Sequence, residues 1–188
     1  YQFERFIKSY PRSDKIQEAS FLGAKSYYML SPRYSLDQTE TDKALLKLQT
    51  FINNYSESEF FEEANTMARE LTTKKEKKEI EIAKQFNKLG EFNLPVLISA
   101  ITAFDNFITD NPGSIYREEA MFYRIESATR LALNSTLDKK QERLEDALES
   151  YNTLMRYFPE TEFKKKADDY AETIREELSA YDTASLSK

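Results

Sequence analysis

The 188-residue chain contains no cysteine, no histidine and no tryptophan. Without cysteine there is neither a disulfide framework nor a thiolate nucleophile. Without histidine there is no imidazole base, no Ser-His-Asp triad and no ordinary transition-metal site. These absences exclude most enzyme classes. The lack of cysteine is compatible with a secreted or periplasmic compartment, and also with the cytosol.

Glycine and long apolar runs are scarce as well. The three glycines are isolated from one another, so the chain cannot form a glycine-rich phosphate loop. No stretch approaches the roughly 18 uninterrupted apolar residues of a membrane-spanning helix. The net charge is −6 with both signs interspersed, and the lysine-rich run at 74–79 is broken by glutamates. We therefore expect no nucleic-acid partner, because no basic stripe is available to neutralise phosphates.

Acidic side chains are the remaining candidates for chemistry. They form many adjacent pairs, but such pairs on charged helices usually face solvent, which disfavours a catalytic dyad. Asp37, Glu40 and Asp42 could in principle hold a hard cation, although a helix-capping role for Asp37 or Thr39 is favoured. We expect no enzyme activity, no cofactor and no metal site. An enzyme that uses carboxylates alone would need a deep pocket in which two of them converge.

What the chain does contain is one pattern in four copies. Each copy is a helix with an aromatic-rich end, a Pro or Ser break and a second helix, and the breaks cover residues 3–13, 48–58, 104–114 and 151–161. Eight residues after the Pro or Ser, each copy places an alanine: Ala19, Ala64, Ala120 and Ala167. Three copies carry another alanine upstream: Ala44, Ala100 and Ala147. Such spacing predicts stacked helical hairpins in one continuous all-α body, since each hairpin buries its apolar face only against a neighbour.

Helical periodicity dominates the chain, and no alternating strand pattern is present. The predicted helices are 1–10, 14–30, 39–55, 58–74, 77–90, 94–110, 115–133, 139–158 and 161–181, each break being followed by a Ser or Thr as an N-cap candidate. The segment 74–94 indicates either an added helix or a long extension of the preceding one. The longer connections 31–41 and 132–144 are candidates for binding contacts, and residues 182–188 are expected to fray.

Aromatic side chains are the most useful sign of binding. The chain has 12 Tyr and 13 Phe, many in adjacent pairs. Neighbours on a helix point about 100° apart, so both rings of a pair face one core only when the buried arc is wide. Packing of both rings is the favoured interpretation, and the alternative is that one ring anchors a partner. The candidate protein-binding residues on that alternative are Tyr28, Arg33, Tyr34, Phe61, Tyr123, Arg124 and Arg130.

Three sequence elements carry a family resemblance: an LDQ-x-x-T loop, an F-I-x-x-Y break and a PGS-x-YREEA segment. Their order and spacing resemble the BamD family of outer-membrane-assembly lipoproteins, in the form typical of Bacteroidetes, over residues 3 to about 181. The resemblance implies tetratricopeptide-like hairpins stacked into a single elongated, curved array over residues 1–188. It also implies a non-catalytic scaffold on the periplasmic face of the outer membrane, tethered by an N-terminal lipidated cysteine.

The resemblance implies partners too. Such a protein would hold the periplasmic POTRA domains of the barrel insertase BamA, join other subunits of the machinery and help to deliver unfolded outer-membrane proteins. The later repeats, 114–181, are expected to face the insertase. Since the chain lacks cysteine and opens inside an early repeat, we expect a fragment without the lipid anchor and first repeats. The open alternative is another periplasmic tetratricopeptide adaptor, for cell division or secretion, which the long middle interval disfavours.

Overall fold

The computed structural model describes the backbone of residues 1–186 and the side chains of residues 1–181. The described residues form α-helices and no strands. The helices are α1 (Gln2–Ser9), α2 (Ile16–Leu30), α3 (Thr39–Asn54), α4 (Phe61–Leu89), α5 (Val96–Asp110), α6 (Arg117–Leu133), α7 (Leu137–Tyr157) and α8 (Lys164–Leu186). Neighbouring helices pack as hairpins, which confirms the predicted all-α, tetratricopeptide-like repeat fold. Helix α8 extends into the segment that was expected to fray, and residues 187–188 lie outside the described part.

Helix α4 is the main difference from the predicted boundaries. It is one helix of 29 residues where the periodicity gave two, at 58–74 and 77–90, so the long extension is the correct alternative. No glycine or proline occurs within it. Its middle consists of lysine and glutamate, which are good helix formers and can pair along one face. The helix therefore continues through this polar run, where the periodicity predicts a break.

The four predicted breaks form the same turn. In the first, the N–H of Tyr10 donates to the carbonyl of Phe6 at 2.8 Å, and the Ser13 hydroxyl accepts from the N–H of Lys15 at 3.2 Å. The equivalent hydroxyls of Ser58, Ser114 and Thr161 accept from the N–H two residues on, at 3.3, 3.1 and 3.2 Å. Each hydroxyl thus closes the turn ahead of the helix and does not cap the helix itself, which corrects the N-cap expectation.

The seven alanines of the repeat pattern lie where helices pack against one another. Six of the seven are fully buried: Ala44, Ala64, Ala100, Ala120, Ala147 and Ala167. Ala19, near the beginning of the chain, is 7% exposed. A methyl group at a crossing lets two helices approach closely, while larger side chains fill the space on either side. The repeated alanine spacing therefore reports the helix–helix contacts of each hairpin.

Contacts divide the chain into two compact units, residues 1–78 and 79–188. In the first unit α2, α3 and the beginning of α4 share one core of buried residues that includes Phe21, Phe51 and Leu71. The ring of Phe21 stacks on that of Phe60 with centroids 4.7 Å apart. Helix α1 packs on α2 at the edge of this unit and has no buried residue of its own.

The second unit is organised around α6, which contacts α5, α7 and α8. One cluster joins Ile80 of α4 to Phe104 of α5. A second places Phe122 of α6 on Phe163, with the rings stacked at 4.5 Å. A third lies further along the same helices and includes Leu144. Because neighbouring helices pack on several of its sides, α6 presents polar side chains along narrow seams between them.

Candidate protein-binding surfaces

Arg124 occupies one seam of α6. Its Nε lies 2.7 Å from Asp105 Oδ1 of α5, and its Nη1 lies 3.1 Å from Asp146 Oδ2 of α7. The same nitrogen donates to the Ser150 hydroxyl. The guanidinium side chain is 16% exposed, whereas the two aspartates are about half exposed. One arginine thus ties three helices together at the base of a cleft of about 300 Å³.

The cleft around Arg124 offers both apolar and acidic contacts. Ile108 and Met121 line its apolar wall, and Glu149 and Thr153 of α7 line its rim. Glu149 is exposed. A cleft with a fixed cation, an apolar wall and an exposed carboxylate on its rim fits a mixed polar and apolar protein segment.

Tyr123 and Arg130 lie two turns apart on another seam of α6. Arg130 donates to the backbone carbonyl and the side-chain oxygen of Asn87, both at 3.0 Å. Asn87 is 6% exposed and also accepts from the Ser127 hydroxyl at 2.9 Å. The Lys84 ammonium lies 5.4 Å from the centre of the Tyr123 ring. Arg130 therefore fastens the end of α4 to α6, which is a structural role for a residue chosen as a binding candidate.

A second cleft of the same unit, of about 420 Å³, opens between α6 and α8. Phe122, Tyr123 and Tyr170 form its aromatic wall, and charged residues including Glu126 line the rest. Burial, together with the nearby Glu126 carboxylate, raises the pKa of Tyr170 to about 12. The phenol therefore stays protonated at physiological pH and can donate a hydrogen bond.

The remaining candidates belong to the first unit. Tyr28 is half-buried, and its hydroxyl donates to the Glu70 carboxylate. Arg33 is exposed on the α2–α3 loop. Tyr34 of the same loop is half-buried below the Lys77 ammonium, 4.7 Å from the ring centre. The structure thus places four of the candidates in the first unit and three in the second, and Arg33 alone among the seven is exposed while the others are half-buried.

The adjacent aromatic pairs are buried to different degrees. Phe122 is buried while Tyr123 is half-buried. Phe60 packs against the core of the first unit, and Phe61 is half-buried as the first residue of α4. Both rings of each of these pairs thus lose part of their surface, and in the pair Phe122 and Tyr123 the tyrosine lies nearer to solvent.

Sequence reasoning did not identify the groove formed by α1, α2 and α3. It has a volume of about 400 Å³, and Phe51 lies in its floor. On its rim Lys47 pairs with Glu4 at 2.6 Å, and the Tyr27 hydroxyl donates to the same carboxylate at 3.2 Å. These residues are 20 to 43 positions apart in the chain, so no local motif marks them.

The acidic residues that were considered for a cation have other partners. Asp37 Oδ1 accepts from the Thr39 N–H at 2.9 Å, but Gln38 occupies the N-cap position of α3 and no side chain caps that helix, which corrects the favoured capping role. Glu40 pairs with Lys43, and Asp42 pairs with Lys75. Throughout the part of the chain that the structure describes, no three acidic side chains converge as a metal site would require.

Comparison with known proteins identifies the family. The family model described as YfiO, outer membrane lipoprotein, matches residues 1–96 and 95–186. The chain is similar to the outer membrane protein assembly factor BamD of Caulobacter vibrioides, with 26% identity over 131 residues. That alignment covers 70% of this chain and 41% of the relative, so the chain spans less than half of that protein's length.

No helix among the described residues is both long enough and apolar enough to cross a membrane. The two family matches meet at residues 95–96, where α5 begins, and together cover almost the whole chain. The repeated hairpins and the LDQ-x-x-T loop lie inside the matched segments. The chain therefore belongs to the BamD-type family of outer membrane lipoproteins.

Proposed function

We propose that this chain is a non-catalytic scaffold subunit of the machinery that assembles β-barrel proteins in the outer membrane. In this role it binds the periplasmic POTRA domains of BamA, works beside other subunits and helps to deliver unfolded outer-membrane proteins. The full-length protein would be lipid-anchored at the periplasmic face of the membrane. Membership of the outer membrane lipoprotein family and similarity to an assembly factor support this proposal over a cell-division or secretion adaptor.

The observation that carries the proposal is the Arg124 cleft. It lies inside residues 114–181, the region expected to face the insertase, apart from its α5 wall. Three helices are fixed there by one guanidinium, so the surface is preorganised and a partner would not have to order it on binding. The two aspartates that flank Arg124 can still be approached from solvent, because both are about half exposed. Arginine in a defined cleft is a typical interface anchor.

The groove of α1, α2 and α3 suits a different partner. An extended, unfolded chain exposes backbone groups and alternating apolar side chains. The apolar floor at Phe51 and the charged rim of Glu4 and Lys47 offer contacts for both. We assign delivery of unfolded clients to this groove and insertase binding to the second unit.

Isothermal titration calorimetry with the purified POTRA domains of the host's BamA tests the insertase contact. Glu149→Arg changes an exposed residue on the rim of the cleft, and we expect it to weaken binding by about tenfold, as charge reversal at an interface commonly does. Glu172→Arg is the matched control, because Glu172 is an exposed glutamate of α8 that does not line the cleft.

The two variants separate the contact from the fold. Both substitutions fall on exposed positions, so both variants should retain the circular dichroism spectrum and thermal midpoint of the parent chain. Saturable binding that Glu149→Arg weakens and Glu172→Arg does not is the expected result. Equal affinity for all three proteins would remove the Arg124 cleft from the interface, and no binding by the parent chain would contradict the proposed function.

A further inference from the structure

The α2–α3 loop has no regular secondary structure, yet its inner side is fixed by Gln38. The Gln38 amide donates to the carbonyls of Arg33 at 3.0 Å and Leu36 at 2.9 Å. Its oxygen accepts from the Thr41 hydroxyl at 2.8 Å, and that hydroxyl lies 2.6 Å from the Ser31 hydroxyl. Gln38 is 7% exposed and Thr41 is fully buried. The loop is therefore organised around a buried polar network.

Lysines of α4 fix the outer side of the same loop. Lys74 Nζ donates to the Ser31 hydroxyl at 2.7 Å and to the Pro32 carbonyl at 3.2 Å. Lys78 Nζ donates to the Leu36 carbonyl at 2.8 Å. Lys77 lies over the Tyr34 ring. Because side chains hold both sides of the loop, it presents its exposed residues in one fixed arrangement.

Those exposed residues combine apolar and basic character. Met29 is 76% exposed, Leu30 is 66% exposed and Leu36 is 48% exposed. Arg33 is exposed between them. We call these four exposed side chains, together with the half-buried Lys77 and Lys78 beside them, the loop patch. Aliphatic side chains beside lysine and arginine are typical of surfaces that bind at a membrane interface.

The charge of the two units supports the same interpretation. Residues 1–78 carry 13 basic and 12 acidic side chains, whereas residues 79–188 carry 14 basic and 21 acidic ones. The net charges are therefore +1 and −7. An anionic surface would attract the loop patch and repel the second unit, so it would favour contact through the first unit.

We propose that the loop patch is a second membrane contact. It binds the anionic phospholipid surface to which an outer membrane lipoprotein is tethered. The apolar side chains of Met29, Leu30 and Leu36 enter the headgroup region. Arg33, Lys77 and Lys78 meet lipid phosphates. A lipid chain tethers without fixing orientation, so a second contact of this kind would orient the repeat array relative to the membrane.

Vesicle flotation of the chain as it stands tests this contact without any lipid modification. The probes are phosphatidylcholine vesicles with and without phosphatidylglycerol, at low and high salt. We expect binding only when phosphatidylglycerol is present, and less binding at high salt because screening weakens the attraction. Arg33→Glu should lower the partition coefficient by about tenfold, and the double variant Met29→Ser, Leu36→Ser by a similar factor.

Two substitutions outside the patch serve as matched controls. Arg12→Glu reverses an exposed arginine in the turn between α1 and α2, and Leu46→Ser removes an apolar residue of α3 that is 68% exposed. Both controls should bind vesicles like the parent chain.

Three results would overturn the proposal. The first is no binding to phosphatidylglycerol vesicles at saturating lipid, and the second is equal loss in the patch and control variants. The third is binding of a polyglutamate peptide through Arg33 without vesicle binding, which would assign the patch to an acidic protein.

Discussion

Replacement of Gln38 by alanine is the sharpest test of how the α2–α3 loop is held. The side chain makes two short hydrogen bonds to the carbonyls of Arg33 and Leu36 and one with the Thr41 hydroxyl. At about 0.5–1.5 kcal/mol for each bond, their loss costs about 1.5–4.5 kcal/mol. Water can replace the amide at the loop carbonyls but not at buried Thr41. We therefore expect a loss of about 2 kcal/mol in the free energy of unfolding.

Urea unfolding followed by circular dichroism measures this loss, and amide hydrogen exchange over residues 31–41 locates it. Gln49→Ala is the control, because Gln49 is exposed on α3 and bonds to Asn53 of the same helix. The control should change stability by less than about 0.5 kcal/mol. If Gln38→Ala costs no more than the control, or if exchange in the loop is unchanged, then the loop is not held by this amide.

Gln38→Glu adds a pH-dependent version of the same test. A carboxylate at this position would be buried and would face carbonyl oxygens, so both desolvation and repulsion raise its pKa above the unfolded value of about 4.3. A raised folded pKa means that stability is fully present below about pH 4 and is lost as the pH rises through the folded pKa. The variant should therefore approach the parent chain's stability in acid and fall furthest below it at neutral pH. A constant difference between pH 4 and pH 7 would contradict this geometry.

Three further predictions concern the second unit. Arg124→Met should lower stability by only about 1 kcal/mol in thermal unfolding, since its half-exposed aspartate partners regain water; a loss above about 3 kcal/mol would mean a fully buried ion pair. Gly90→Ala should lower the free energy of unfolding by about 1–3 kcal/mol, because the new Cβ would lie 2.2 Å from Leu97 Cδ2. A Cβ added at Gly113 meets nothing within 4 Å, so the control Gly113→Ala should be neutral or slightly stabilising. Burial of Tyr170 predicts that stability is full below about pH 10 and falls as the pH rises towards 12, an effect that Tyr170→Phe should remove from an alkaline unfolding series.

The repeat pattern was sufficient to predict the fold. Aromatic helix ends, the Pro or Ser breaks and the spaced alanines are local signals, and each reports one contact of a hairpin with its neighbour. The positions of the helices followed within a few residues, and Ala64 and Ala120 lie fully buried where the spacing predicted. The division of α4 was wrong because charge patterning alone cannot distinguish a solvated linker from the exposed face of a continuous helix.

The binding surfaces could be predicted much less well. Arg124 was chosen by residue type, but its partners Asp105 and Asp146 lie 19 and 22 positions away on other helices. Such pairs depend on how helices pack, and no local motif records them. Arg130 was also chosen because arginine is common at interfaces, but here its side chain fastens two helices. The seven candidates therefore stay predictions until binding is measured.

Hydrogen–deuterium exchange of the intact chain, with and without saturating POTRA domains of the host's BamA, tests the scaffold function most directly. We expect new protection within residues 114–181, strongest around the Arg124 cleft in α6 and α7, and none over residues 31–38. Protection confined to the first unit, or unchanged exchange along the whole chain at saturating concentration, would contradict it.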